Sequence, residues 1–213
     1  LVYEAAKRYF AEIMMPFRAA IRKNLARLAG CQIKCIAPSH GPIYKQPSFI
    51  LDAYRDCTAD TPHNEVVLPY ISMHGSTQLM VNHLVDALTA RDIVVTPFDL
   101  AVTDIGKLAM ALVDAATLVV GTPTVHVGPH PAVYYAAHLA NALRPKLRHA
   151  AVIGSYGWSS KAVEQIAALI PNLKVEILGA IMARGLPGQK DFAALDNLAD
   201  QIASRHAALA VVN

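Results

Sequence analysis

From Glu65 onward the chain alternates short apolar runs with longer stretches of helical character, and this alternation constrains its fold more than any other feature. The runs 66–71, 93–98, 117–121, 150–154 and 175–181 are continuously apolar, as strands are when both faces of their sheet are covered. Helical periodicity falls at about 77–90, 104–113, 131–143, 159–169 and 191–207. Strands joined by helices in this rhythm predict an α/β fold, a doubly wound parallel sheet of five strands, because right-handed crossovers leave few other topologies.

The first 62 residues read differently. Ala6, Phe10, Ile13, Met14, Phe17, Ile21, Leu25 and Leu28 recur at three- and four-residue spacing, which predicts one long amphipathic helix, bent at Pro16 and ended by Gly30. A short strand at 33–37, a rigid Pro38-Ser39-His40-Gly41-Pro42 loop and a helix at 47–57 follow. The polar stretch 58–64, containing Pro62, is the natural linker, so two domains are expected, 1–62 and 63–213. Charge divides at the same place: nine Lys/Arg against five Asp/Glu before residue 63, and ten against eleven after it. The basic residues Lys7, Arg8, Arg18, Arg22, Lys23 and Arg27 interleave with the apolar stripe, so a solvated helix face accounts for them better than nucleic-acid binding.

At 54% hydrophobic and 16% charged, the 213 residues must bury most of their apolar surface in a core or a subunit contact, which predicts a homodimer or homotetramer. No apolar run approaches the roughly 18–20 residues that cross a bilayer, so no membrane span is expected. The start at Leu1 lacks a basic and apolar leader and reads as a cut. An odd cysteine count (Cys31, Cys35, Cys57) suits a reducing, cytoplasmic compartment, with structural thiols favoured over zinc ligands.

In an open parallel sheet, ligands lie beyond the carboxyl ends of the strands. After the first strand come Ser72, Met73, His74, Gly75, Ser76 and Thr77, then a helix. Hydroxyls and backbone N–H groups at a helix N-terminus suit a phosphate, and the absence of a lysine disfavours a nucleoside triphosphate loop. After the third strand, Pro123, Thr124, Val125, His126 and Val127 can hold backbone groups toward the edge of a flat heterocycle. After the fourth come Ser155, Tyr156, Gly157 and Trp158, two aromatics suited to flank that ring. A phosphate at one loop and a flat ring between two others describe a mononucleotide, and five strands favour FMN.

The segment 72–77 resembles the flavodoxin phosphate loop. Together with Pro-Ser-His-Gly-Pro (38–42), Gly-Thr-Pro-Thr (121–124) and Gly-Ser-Tyr-Gly-Trp-Ser (154–159), in that order behind the 3–17 helix, it resembles the C-terminal portion of flavodiiron proteins. The resemblance implies a flavodoxin-like FMN domain preceded by the C-terminal segment of a metallo-β-lactamase-like di-iron domain. It implies reduction of dioxygen to water or of nitric oxide to nitrous oxide, with rubredoxin, reduced F420 or a reductase as donor. It makes His40 an iron ligand and implies a head-to-tail dimer. The family's His-x-Glu-x-Asp-His ligand segment is absent from these residues, and His126, Val127 and His74 depart from the family pattern. A noncatalytic FMN carrier is the alternative for the chain as it stands; a quinone reductase lacks any nicotinamide signature.

Overall fold

The computed structural model describes residues 1–211; Val212 and Asn213, the end of the expected second domain, lie outside the described residues. Five parallel strands, β1 (His63–Tyr70), β2 (Val94–Asp99), β3 (Ala115–Val125), β5 (His149–Tyr156) and β6 (Glu176–Arg184), lie in the order β2-β1-β3-β5-β6. All five predicted strands are present. A sixth, β4 (Gly128–Pro129), is a two-residue piece paired antiparallel to the end of β3, too short to leave a periodic signal. Successive side chains of a strand face opposite sides, so β1 sends Val66 and Leu68 one way and Val67 the other.

The first face is covered by helices α4 (Ser76–Thr89) and α8 (Gln189–Val211), whose Met80, Leu84, Leu195, Leu198 and Ile202 are buried against Val66, Leu68, Val119 and Ile153. The other is covered by α5 (Ile105–Leu112), α6 (Pro131–Leu143) and α7 (Ala162–Leu169), through Leu108, Leu112, Val133, Ala136, Ala140 and Ile166. Cover on both faces explains the continuously apolar central strands β1, β3 and β5, whereas the edge strands β2 and β6 stay largely half-buried or exposed. Burying each large aliphatic side chain contributes about 1.5–3 kcal/mol, before the cost of ordering the chain.

The amino-terminal segment shares the second core. Phe10, Ala11, Met15 and Cys57 lie in the same buried cluster as α5 and α6. The long helix is not continuous: α1 (Val2–Tyr9) passes into a π-helical turn (Phe10–Met14) and a 3-10 turn (Met15–Phe17) before α2 (Arg18–Leu28). Pro16 lacks the N–H that would bond the carbonyl four residues back, and its ring crowds that carbonyl, so the ladder opens there. The wide turn moves the buried face round the helix. Ala11 and Met15 are buried, while Ile13, Phe17 and Leu28, expected inside, are exposed. The expected strand at 33–37 is reduced to a single bridge, Ile36 to Tyr44, because no neighbouring strand is there to extend it. Helix α3 (Pro47–Thr58) follows as predicted.

Lys7 and Arg8 of α1 are paired, not merely solvated. Arg8 grips Asp104 with two bonds of 2.6 and 2.9 Å, and Asp104 also caps α5 by accepting from the Gly106 N–H at 2.9 Å. Lys7 Nζ lies 2.5 Å from Asp114 Oδ2, and the buried Lys146 Nζ lies 3.4 Å from Asp114 Oδ1. Burial works against the Lys7 ammonium, but its hydrogen bond and attraction to Asp114 outweigh that and raise its pKa. Burial pushes the Cys57 thiol up to about 11, so it is a structural thiol; Cys31 and Cys35 are exposed and free. Among the described residues no helix is long and apolar enough to cross a membrane.

Candidate functional site

Parallel pairing sets the carboxyl ends of β1, β3 and β5 side by side. Tyr70 is in register with Gly121, Gly121 with Ile153, and Pro123 with Ser155. The three segments singled out from the sequence therefore emerge at one edge. Gly154 makes this possible, because a Cβ there would stand 1.9 Å from the Thr122 carbonyl oxygen.

The loop after β1 ends at Gly75, whose φ of 87° lies in the left-handed region that a side chain would strain. This turn starts α4 at Ser76. Ser72 Oγ accepts from the Gln78 N–H at 3.2 Å, which leaves the hydroxyl proton free to donate elsewhere. Among the described residues no hydrogen bond reaches the N–H of Ser76 or Thr77, the two donors at the positive end of the helix. Thr77 is buried, its Oγ1 3.5 Å from Ser155 Oγ, so the first loop meets the end of β5. Met73, His74 and Gly75 are exposed around them.

After β3 the structure differs from a plain loop. The strand runs to Val125 and turns back into β4, with Val125 opposite Gly128, so His126 and Val127 form the tip of a hairpin. Both have positive φ, 48° and 70°. Two left-handed residues are what a tight hairpin turn of this twist requires, and a β-branched Val is a strained choice for one of them. The tip is held from outside: the Lys161 N–H donates to the Val127 carbonyl at 2.6 Å, and Thr124 Oγ1 donates to Ser160 Oγ at 2.8 Å.

Ser155 and Tyr156 still belong to β5; Gly157 and Trp158 form the loop beyond it. Its carbonyls are pinned by the end of β6, where the Gly185 N–H donates to Tyr156 O at 2.8 Å and Arg184 Nε donates to Gly157 O at 3.2 Å. Trp158 is 88% exposed, at the edge where the unpartnered N–H groups lie. Water disfavours so large an uncovered ring, and a flat ligand ring would cover it.

FMN fits these residues. Its phosphate suits the Ser76 and Thr77 N–H groups and the Ser72, Ser76 and Thr77 hydroxyls, and the exposed indole of Trp158 suits its ring. Toward iron the described residues offer a single imidazole, His40. His40 lies in the loop after the Ile36 bridge position, its ring 5.6 Å from that of Tyr9, beside an apolar groove of about 890 Å³ lined also by Leu25, Ile36 and Tyr44. Among the described residues, no group of three or more His, Cys, Asp or Glu could hold a metal ion.

Sequence reasoning missed Ser160, Arg184 and Gly185. Ser160 accepts from the Ala162 N–H at 3.2 Å, so it engages the first N–H of α7 as well as anchoring Thr124; a Ser two residues before a helix was the available signal. Nothing local marks Arg184 or Gly185, whose partners belong to a different strand.

The strand order, with helices on both faces of the sheet, defines a flavodoxin-like α/β fold. No family model matches the chain. It is 33% identical over 181 residues to the nitric oxide reductase of Moorella thermoacetica, covering 84% of this chain and 45% of that protein. It is 25% identical over 214 residues to the coenzyme F420H2 oxidase of Methanocaldococcus jannaschii, covering 96% and 51%. The solved rubredoxin oxygen:oxidoreductase of Desulfovibrio gigas superposes with a TM-score of 0.91 at 25% identity, over 97% of this chain and 53% of that one. The chain is thus a relative of the flavodiiron proteins, in the portion that carries the flavodoxin-like fold. It spans about half the length of the curated relatives it matches.

Proposed function

We propose that this chain is the FMN-binding, electron-transferring portion of a flavodiiron oxidoreductase that reduces nitric oxide, dioxygen or both. The observation that carries the reading is the convergence at one sheet edge of two unpartnered helix N–H donors, a buried Thr77 hydroxyl and an almost fully exposed Trp158. The relatives' names supply the reaction class: a nitric oxide reductase, a coenzyme F420H2 oxidase and a rubredoxin oxygen:oxidoreductase. Residues 63–213 form the FMN domain in this reading, and 1–62 the end of a di-iron domain to which His40 contributes one imidazole. The donor is rubredoxin, reduced F420 or a reductase, and the working unit is a homodimer or homotetramer in the cytoplasm.

When bound, FMN supplies the ability to accept and release electrons one or two at a time. The chain's own residues do the rest. Ser72, Ser76 and Thr77, with the backbone at Met73 and Gly75, hold the phosphate, and the α4 dipole favours its negative charge. His74 stands exposed at the same loop, where its imidazole can donate to a phosphate oxygen. The 123–127 hairpin presents main-chain groups to the ring edge, and Tyr156 and Trp158 screen the ring from water on its other side. Ser160, Arg184 and Lys161 hold these two walls in place through the bonds described above. No step through iron follows from these residues, since His40 has no co-ligand among those described.

Titration of FMN into the chain, followed by quenching of flavin fluorescence, tests this directly. One FMN per chain is expected, with T77A binding about tenfold or more weakly, as loss of a buried hydroxyl donor to a charged group costs about 1.5–3 kcal/mol. Absence of FMN binding by the unsubstituted chain, or unchanged affinity in T77A, would sink the assignment.

A further inference from the structure

At the opposite edge of the sheet, three arginines cluster about Asp60. Arg18 and Arg22 stand one turn apart at the start of α2, Asp60 lies in the connector between α3 and β1, and Arg148 immediately precedes β5. Arg22 pairs with the Asp60 carboxylate, and Arg148 Nη2 donates to the Asp60 main-chain carbonyl at 3.0 Å. Arg18 Nη1 is buried and has no hydrogen-bond partner among the described residues. Burial lowers the Arg18 pKa, and repulsion from Arg22 and Arg148 adds to this against the attraction of Asp60.

Elsewhere Arg8 meets Asp104 and Glu12, Arg55 meets Asp52, Arg91 meets Asp200 and Arg205 meets Glu176. Arg27, Arg144 and Arg184 are exposed to solvent, whereas Arg18 holds a buried guanidinium nitrogen. Around Asp60 two positive charges are left over. A planar fork of N–H donors matches a tetrahedral oxyanion or a carboxylate, and a dianion would both supply the missing acceptors and neutralise the excess.

We propose that Arg18, Arg22 and Arg148 hold the phosphate group of a soluble anion at the junction between the amino-terminal segment and the sheet. Such a ligand would bridge α2 to the start of β5 and so fix the two parts of the chain against each other. The site is separate from the hydroxyl loop at α4, which lies at the carboxyl edge.

Thermal unfolding with inorganic phosphate and with pyrophosphate, ionic strength held constant with NaCl, provides the test. At ten times its dissociation constant the anion should raise Tm by roughly 3–6 °C. Each variant is compared with its own anion-free baseline: R18Q and R148Q should lose the shift, and R27Q, an exposed position further along α2, should keep it. Should a variant not fold, the Arg Nε–H NMR signals of the unsubstituted chain give a second reading, with those of Arg18, Arg22 and Arg148 moving on addition of phosphate. An equal Tm rise with NaCl alone, or equal loss in R27Q, would reduce the effect to charge screening and overturn the proposal. Sedimentation with phosphatidic-acid vesicles, without any response to free phosphate, would overturn it in favour of a membrane headgroup.

Discussion

The two edges of the sheet handle polarity in opposite ways. At the carboxyl edge the segments 72–77, 123–127 and 155–158 contain no Lys, Arg, Asp or Glu; hydroxyls, backbone N–H groups and aromatic rings make up the surface. At the amino edge Asp114, Lys146, Arg148, His149 and Glu176 stand at or beside the starts of β3, β5 and β6, and His206 reaches them from α8. There, Asp114, Lys146, His149 and His206 are buried and Asp114 forms ion pairs with Lys7 and Lys146, while Arg148 and Glu176 reach solvent. At the carboxyl edge, donors are left without protein partners and an indole is left uncovered. The difference teaches that charged groups join the two parts of the chain at the amino edge, whereas the carboxyl edge, the one proposed to take the flavin, offers a surface without Lys, Arg, Asp or Glu in these three segments. Substitutions should therefore separate cleanly into those that change stability and those that change flavin binding.

Asp114→Ala should give the largest effect. It would leave Lys146, almost wholly buried, and the half-buried Lys7 without their shared carboxylate. Breaking a buried pair on one side costs about 3–5 kcal/mol, measurable as a fall in the urea midpoint. FMN affinity of the folded fraction should not change. A loss of flavin affinity as large as the loss of stability would show that the two edges are not independent.

Acid sensitivity should come next and should also belong to the amino edge. His206 Nδ1 donates to Asn64 Oδ1 at 2.7 Å, and its Nε2 lies 2.7 Å from Thr117 Oγ1, where it can accept from the hydroxyl as a neutral ring. Burial, then the neighbouring His149, pushes its pKa down to about 4, and burial also lowers that of His149 despite Glu176. Both rings are therefore held neutral in the fold. The unfolded chain takes up protons first, so stability is complete above about pH 6.5 and declines as pH falls from there toward 4. For His206 the full decline is on the order of 3 kcal/mol. His206→Gln, which preserves an amide for Asn64, should flatten that slope; an unchanged slope would place the sensitivity elsewhere.

Much of the fold was legible because central parallel strands, covered on both faces, write themselves as unbroken apolar runs, and the two edge strands carry apolar runs as well. All five such runs became strands, and the loops behind three of them were identifiable from position alone. What the sequence hid depended on partners far along the chain. The π turn at 10–14 displaced the apolar stripe, so Ile13 and Phe17 were assigned inward when Ala11 and Met15 are the buried residues. Lys7 and Arg8 looked like a solvated face because Asp114 and Asp104 lie about a hundred positions away. At the site, the Ser72, Gly75 and Thr77 cradle follows from local chemistry, whereas the hairpin at 123–129 depends on β4, two residues with no periodicity of their own.

At the carboxyl edge the effects should be smaller on stability and fall on the ligand. Trp158→Ala removes a ring that touches little of the folded chain, so Tm should stay within a degree or two, in keeping with surface substitutions of about 0.5 kcal/mol or less. FMN affinity should drop about threefold to tenfold, the range of roughly 0.5–1.5 kcal/mol that aromatic stacking contributes beyond burial. A large loss of Tm with unchanged flavin affinity would mean that the indole supports the fold instead of screening a ligand.

The smallest effect should come from the hairpin tip, and it should have the opposite sign. Val127 sits at φ 70°, a region that a β-branched side chain enters only under strain and that glycine enters freely. Val127 is 36% exposed, so Val127→Gly also gives up part of the packing of its side chain, which offsets some of the gain. Relief of the strain should stabilise the apo chain by up to about 1 kcal/mol, less the entropy that glycine adds to the unfolded state. Strain retained at a tip that faces the proposed ring suggests what the valine contributes there: a stiff wall and a fixed direction for the main-chain groups of His126 and Val127. Val127→Gly should then gain stability and lose flavin affinity at once, a combination that ordinary loop relaxation does not produce. If it gains both, or changes neither, the tip is a tight turn and no part of the ring site.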